Sequence, residues 1–375
     1  MPQWVTIFLP PAAHTSIMDK KKIVFILNPI SGTTSKAGIP QLIDTILDKD
    51  KFCYTIAETK YAGHASELAR EAVRDNYDIA VAVGGDGTVN EVARAIVNTP
   101  TALGIIPCGS GNGLARHLML PLNAKGAIEI INKCEIHDLD YGVINSMPFF
   151  CTCGMGFDAF ISMKFANAGK RGPITYVENV LKEGLKYKPE TYIIEDESGT
   201  KKHKAFLISI ANASQYGNDA YIAPQASMRD GLMDIIIMEP FDMLEAAQVS
   251  IDMFNKTLDK NSKIKTFRSK HVRIHRTEPG VIHYDGDPIM ADSDLDISIR
   301  EKGIKIVTNP DADRKKRQPS KVQTAFSEFL SSIHSARMEV TDAVKEVSEE
   351  VASDISKQGK KMQQISKTIQ NKLNL

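Results

Sequence analysis

Two acidic stretches in this 375-residue chain have neighbours suited to chemistry. The first is Val81-Ala82-Val83-Gly84-Gly85-Asp86-Gly87-Thr88-Val89-Asn90-Glu91. Glycines on both sides of Asp86 let the backbone approach a ligand closely. The N–H groups that open the following helical pattern would face an anion, most naturally a phosphate. A carboxylate in such a cradle repels bare phosphate. It suits a reaction in which Mg²⁺ or a reacting hydroxyl lies between the two. The same residues also read as a Gly-rich turn with Asp86 capping a helix. The second stretch is His283-Tyr284-Asp285-Gly286-Asp287-Pro288. On a strand, carboxylates at i and i+2 point the same way. Like charges so placed cost stability unless a metal or a proton-transfer role compensates. The alternative is a hairpin turn. Asp230-Gly231 reads as a tight turn. Asp158, which follows an apolar run and opens a helical stretch, reads as an N-cap.

The elements that must hold these groups follow from periodicity. Strands are predicted over Ile23–Leu27, Phe52–Ala57, Ile79–Val83 and Leu103–Ile106, and helices over Ile39–Leu47 and His64–Val73 and onward from Val89. Their alternation predicts a parallel α/β layer over residues 20–137. Three loops of small and hydroxyl residues follow strand ends: Asn28-Pro29-Ile30-Ser31-Gly32, Gly84-Gly85-Asp86-Gly87-Thr88, and Pro107-Cys108-Gly109-Ser110-Gly111-Asn112-Gly113. In an open α/β sheet those ends share the edge where ligands bind. The loops therefore converge as a cradle for nucleotide phosphates. No P-loop lysine signature is present, nor a Gly-x-Gly-x-x-Gly after the first strand, which excludes a Walker-type NTPase and a Rossmann dehydrogenase.

Residues 138–310 read differently. Short runs at Phe149–Cys153, Thr191–Glu195, Phe206–Ala211, Leu232–Met238, His271–His275 and Val281–Tyr284 predict antiparallel β structure. Helical stretches interrupt it at Asp158–Lys188, broken at Gly172-Pro173, and at Asp242–Leu258. Two last strands, Leu295–Ile299 and Ile304–Val307, close this part, and one of them is a candidate to return to the first domain. Residues 311–375 form a tail. After Arg314-Lys315-Lys316-Arg317, apolar residues from Phe326 to Val351 repeat at heptad spacing, slip at Ile355 and resume at Met362 and Ile369. The tail reads as an amphipathic or coiled-coil-like helix for homodimer formation or membrane contact. Residues 1–19 read as disordered or as a misassigned start, because Met18-Asp19-Lys20-Lys21-Lys22 is a more natural beginning.

Bulk properties narrow the classes. Lys+Arg and Asp+Glu are both 46, so no nucleic-acid partner is implied. The five cysteines sit mostly in apolar runs, as reduced thiols of a cytosolic protein do. Cys151-x-Cys153 lacks the second pair of a zinc site. No apolar run approaches the ~20 residues of a membrane span.

The three loop motifs, in this order and at these separations, resemble the diacylglycerol kinase catalytic domain family, which includes bacterial lipid kinases and sphingosine kinases. The resemblance covers Lys20 to Pro310. It implies an NAD kinase/diacylglycerol kinase-like α/β domain, followed by an antiparallel β-sandwich and then the helical tail. It implies ATP contacts from Asn28, Pro29, Ile30, Ser31 and Gly32, from Thr59, from Gly85, Asp86, Gly87, Thr88, Val89, Asn90 and Glu91, and from Ser110 and Asn112. A Mg²⁺ site is implied at Ser227, Asp230 and Leu232. Asp158 would contact the substrate. The family has Asp-Gly-Glu where this chain has Asp-Gly-Asp, so the general base would be Asp287, alone or with Asp285 sharing the task. Gly113 follows Asn112 where many bacterial diacylglycerol kinases have Asp, which is closer to the sphingosine kinase version. The implied activity is transfer of the γ-phosphate of ATP to a lipid hydroxyl at the cytoplasmic face of the membrane. An NAD kinase-like enzyme and a non-catalytic lipid-sensing protein are the alternatives.

Overall fold

The computed structural model describes residues 20–30, 36–166, 184 and 187–312. The expectations for residues 1–19, for Ser31 and Gly32, for the Gly172-Pro173 break and for the tail beyond residue 312 lie outside the described residues.

Strands β1 (Lys21–Leu27), β2 (Phe52–Glu58), β3 (Ile79–Gly84) and β4 (Ala102–Pro107) are parallel, in the order β2-β1-β3-β4. Every residue of β3 and β4 is buried, as expected of parallel strands covered on both faces. Helices α1 (Ile39–Ile46), α2 (His64–Arg74), α3 (Asp86–Ile96), α4 (Gly113–His117) and α5 (Ala124–Lys133) alternate with them. β1 has β2 on one side and β3 on the other. The loops leaving β1 and β3 therefore part at a topological switch point, where open α/β sheets form a ligand crevice. Helix α3 starts at Asp86, three residues before Val89. Its apolar stripe marks only the part of the helix that meets the sheet.

The second half is antiparallel. Strands β5 (Ile136–Ile144), β6 (Met147–Phe149) and β7 (Thr152–Gly156) lead into α6 (Phe157–Ala166). Then come β8 (Glu190–Asp196), β9 (Gly199–Ala205), β10 (Leu207–Ala211), β11 (Met233–Met238), a helix over Met243–Asn255, β12 (Ile264–Ser269), β13 (His271–Arg276), β14 (Gly280–Tyr284), β15 (Asp287–Ala291) and β16 (Asp294–Val307). Among the described residues one sheet runs β12-β11-β10-β7-β14-β15, and the other continues from β4 through β16-β13-β8-β9. Phe149, Tyr192, Ile208, Ile235, Ile274 and Ile297 from the two sheets fill a common core, which makes this half a β-sandwich.

The two strands expected at 295–299 and 304–307 are one strand of 14 residues. Arg300-Glu301-Lys302-Gly303 reads as a polar turn. Instead it is an irregularity that leaves pairing with β5 intact on both sides, Arg300 with Tyr141 and Ile304 with Leu139. Asp140 supports it: Oδ1 accepts the N–H of Lys302 at 2.7 Å and Oδ2 that of Gly231 at 2.9 Å. At its far end β16 pairs in parallel with β4, Ile306 beside Leu103. One strand thus belongs to both halves of the fold.

A buried ion pair also joins the halves. Arg116 of α4 donates to Asp219 at 2.7 Å, with both side chains under 10% exposed (7% and 9%). It also donates through Nε to the carbonyl of Gly111 at 2.9 Å. Removing one partner of such a pair leaves an uncompensated charge in the interior. Asp219→Ala is expected to lower the unfolding free energy by ~3–5 kcal/mol in a urea titration. An exposed pair such as Lys305–Asp138 should give a far smaller change.

Candidate active site

The glycine loops close on one another backbone to backbone. A Cβ on Gly109 would stand 2.7 Å from the Cα of Gly85, and one on Gly85 would stand 3.2 Å from the Cα of Gly109. No side chain fits at that contact. Asp86 fastens it: Oδ1 accepts the N–H of Gly113 at 2.7 Å and Oδ2 that of Asn112 at 2.8 Å. Asn112, at φ 52°, folds its side chain back onto Gly109, accepting from its N–H at 2.9 Å and donating to its carbonyl at 2.8 Å. Burial pushes the Asp86 carboxyl above its ordinary range, and the N–H groups of Gly113 and Asn112 oppose that shift. The first loop is tied in by Asn28, which donates through Nδ2 to Thr88 Oγ1 at 3.1 Å. Thr59 donates its N–H to Leu27 at 2.8 Å. Pro29, Ile30, Gly87 and Ser110 are exposed around this rim, while Val89 is buried in the core. Nothing lies within 4 Å of the Cβ position of Gly87. The first N–H groups of a helix have no partner within it. The start of α3, beside that open space, can therefore receive phosphate oxygens.

The other polar residues of α3 reach outward in different directions. Glu91 accepts the N–H groups of Gly63 at 3.0 Å and Ala65 at 3.2 Å, which caps α2. Asn90 donates to the carbonyl of Asp285 at 3.4 Å. Arg94, which the sequence reading passed over, donates to Asp287 Oδ2 at 3.0 Å and lies 3.8 Å from Asp285 Oδ2. It also donates to the carbonyls of Pro148 at 3.3 Å and Tyr284 at 3.4 Å and lies 4.4 Å from the centre of the Tyr284 ring. A signal for it was available. Residues 86, 90 and 94 form a polar i, i+4, i+8 row on one side of α3.

Asp285 and Asp287 do not stand side by side on a strand. Tyr284 pairs with Asp287, and the two residues between them turn the chain with φ 53° at Asp285 and 87° at Gly286. That is the left-handed geometry of a two-residue hairpin loop. The period-2 rule does not hold through such a turn, so the two carboxylates have separate environments. Asp285, with 3% of its side chain exposed, accepts N–H groups of Phe150 at 2.9 Å, Cys151 at 2.7 Å and Thr152 at 3.2 Å. Burial pushes its carboxyl up to about 6, with Arg94 and those N–H groups pulling the other way. Asp287 is half exposed (49%) and open to solvent apart from Arg94. Gly113 connects the two acidic stretches: it donates to Asp86, and its Cβ position is 3.5 Å from the sulfur of Cys151, whose N–H donates to Asp285. The two acidic stretches are therefore joined through Gly113 and Cys151.

Asp158 meets the strand that leads into the acidic hairpin. It lies in the first turn of α6, one residue inside the helix and not at its N-cap, and is 9% exposed. Its Oδ2 meets His283 Nε2 at 3.0 Å and the Tyr216 hydroxyl at 3.2 Å. Ser227, Asp230 and Leu232 share one turn. Ser227 Oγ accepts the N–H of Arg229 at 3.2 Å, and Asp230 Oδ1 accepts that of Leu232 at 3.2 Å. The all-oxygen donor set suits a hard cation. The charge now facing Asp230 is Arg268, 3.6 Å away.

Known proteins match both halves. Residues 22–144 match the model of the diacylglycerol kinase catalytic domain, and residues 151–308 match the YegS C-terminal NAD kinase beta sandwich-like domain. A Staphylococcus saprophyticus protein named diacylglycerol kinase is 26% identical over 273 residues, which cover 72% of this chain and 89% of that protein. An uncharacterised Synechocystis protein is 28% identical over 298 residues, covering 75% of this chain and 69% of its own. A crystal structure described as a diacylglycerol kinase from Bacillus anthracis shares the fold, with a TM-score of 0.62 at 20% identity over 78% of this chain and 98% of that one. With its two halves matched in this order and its glycine loops and acidic hairpin joined through one helix, the chain belongs to the diacylglycerol kinase catalytic domain family.

Proposed function

We propose that the protein is an ATP-dependent lipid kinase that transfers the γ-phosphate to the hydroxyl of a membrane lipid, either diacylglycerol or a sphingosine-like alcohol. One observation carries the reading. Helix α3 offers its N-terminus to the phosphate cradle and holds the half-exposed carboxylate of Asp287 through Arg94. The chemistry needs the acceptor oxygen to lose its proton as its bond to phosphorus forms and the bond from phosphorus to the β-phosphate oxygen breaks, leaving ADP. Asp287 is exposed enough to take that proton. Asp285, bonded to three backbone N–H groups, holds the hairpin on the segment 150–152 instead of acting as a base. Asp86 fixes the loops that cradle the phosphates. Positioning and charge stabilisation contribute most of the rate in phosphoryl transfer. Mg²⁺ arriving with ATP would neutralise phosphate charge, and Ser227, Asp230 and Leu232 are the oxygens that would hold a separate, structural cation.

No helix among the described residues is long and apolar enough to cross a membrane. Because the acceptor in this reading is a membrane lipid, the enzyme would meet it at the cytoplasmic surface of the bilayer, with the heptad-patterned tail as a membrane contact or a dimer contact.

ATP consumption measured with diacylglycerol, sphingosine and NAD⁺ tests the reading. Turnover is expected with a lipid alcohol, and turnover with NAD⁺ alone would overturn it. Asp287→Asn is expected to lower kcat by about a hundred-fold or more, the usual contribution of a positioned base, with little change in melting temperature because the side chain is half exposed.

A pH effect on stability follows from Asp285. Its folded carboxyl titrates at about 6 against an ordinary 3.8. A raised value favours the folded state below the unfolded one, and that contribution is lost as pH rises through about 6. The difference corresponds to on the order of 3 kcal/mol. Urea unfolding of the wild type and of Asp285→Asn from pH 4 to 7 should show their stability difference shrinking by about that amount, or reversing, as pH rises.

A further inference from the structure

We propose that Arg94 is a positioning residue for phosphoryl transfer, setting the Asp287 carboxylate in place from the same helix whose first residue holds the nucleotide loops. This inference rests on the kinase reading above.

Arg94 is held on every side. Its guanidinium has five partners: Asp287 at 3.0 Å, Asp285 at 3.8 Å, the carbonyls of Pro148 at 3.3 Å and Tyr284 at 3.4 Å, and the Tyr284 ring at 4.4 Å. A planar fork stacked on an aromatic ring has its direction fixed in a way that a lysine ammonium does not. Stability of the hairpin does not account for the arrangement. The turn is already held by the bonds from Asp285 to Phe150, Cys151 and Thr152. The pair with half-exposed Asp287 contributes only about 0–1 kcal/mol. The charge of Arg94 therefore supports the hairpin mainly through buried Asp285, 3.8 Å away, and that contact does not require the closer bond to Asp287. What Arg94 does fix is the orientation of the one acidic side chain in the hairpin that is open to a substrate.

The helix supplies the link to the nucleotide. Asp86 and Arg94 are eight residues apart on α3, about 12 Å along its axis. Val89, Val92, Ala93 and Ile96 bury the opposite face of the helix in the core, so the two ends move as one rigid piece. The phosphate cradle and the proton acceptor therefore share one reference body. Such alignment matters because small misplacements of reacting groups cost large factors in rate.

The test is a double-substitution cycle on the full chain, with ATP·Mg²⁺ and dioctanoylglycerol in mixed micelles. Arg94→Met is expected to lower kcat by about a hundred-fold while leaving the KM for ATP within about twofold of wild type. Arg94→Lys should restore part of the loss, because it keeps the charge without the fork. Arg94→Met combined with Asp287→Asn should be no slower than Asp287→Asn alone, within about threefold. A merely structural arginine would make the two losses multiply, and that result overturns the proposal. A rise in the KM for ATP that matches the fall in kcat also overturns it. Should Arg94→Met lose its near-UV circular dichroism, the cycle is run with Arg94→Lys, and the same criterion of non-multiplying losses applies. A wild-type chain that phosphorylates no lipid alcohol overturns the kinase reading and this proposal together. Wild-type turnover with multiplying losses removes only the role of Arg94.

Discussion

Helix α3 is the constraint on which the rest of the site depends. One face is buried through Val89, Val92, Ala93 and Ile96, and its other residues bind four separate neighbours. Asp86 takes the third glycine loop, Thr88 the first loop, Glu91 the start of α2, and Asn90 and Arg94 the hairpin of the second half. Each such bond contributes only about 0.5–1.5 kcal/mol net. Their value is geometric, because they fix one short rod relative to every loop of the crevice. The absence of a side-chain N-cap on α3 fits this arrangement. A cap would occupy the N–H groups that the cradle leaves for a ligand.

Two carboxylates two residues apart have different surroundings, set by burial, backbone N–H groups and Arg94. Asp285 lies against backbone N–H groups with its carboxyl pushed up to about 6 by burial, and Asp287 faces the solvent beside a cation. Separation of this kind lets neighbouring acids serve as anchor and as proton acceptor. The pairing of Asp158 with His283 adds support from below. Gly286 N–H lies 3.4 Å from His283 Nδ1, while the other ring nitrogen meets Asp158. The hairpin is thus held from α3 on one side and from α6 on the other.

Much of this could be read from residue types. Continuous apolar runs located the parallel strands, because burial on both faces leaves no alternation to confuse with a helix. Glycine clusters after those runs located the three loops, because only glycine permits the approach of Gly85 to Gly109. What escaped was long-range or was hidden by a local rule. Arg94 shares a polar row with Asp86 and Asn90, but nothing local names its partner, nearly two hundred residues away. Asp158 carried no mark of a buried histidine partner. The strand rule misjudged Asp285 because the left-handed turn at 285–286 breaks the alternation. Two strands are expected where there is one, because nothing local reveals that Asp140 holds the charged run 300–303 within it.

The long last strand has a consequence for the molecule as a whole. β16 pairs with β13 in the sandwich and ends beside β4 in the parallel layer. Neither half therefore owns a complete set of strands. A fragment stopping ahead of Asp294 would leave the open flank of β4 without its neighbour and strip β5 of its principal mate. Cutting the polypeptide near residue 145 would yield pieces that each lack part of the other's framework. The two halves should melt together in a single transition, and a hinge bend like that of enzymes with lobes tied by slender linkers has little room here.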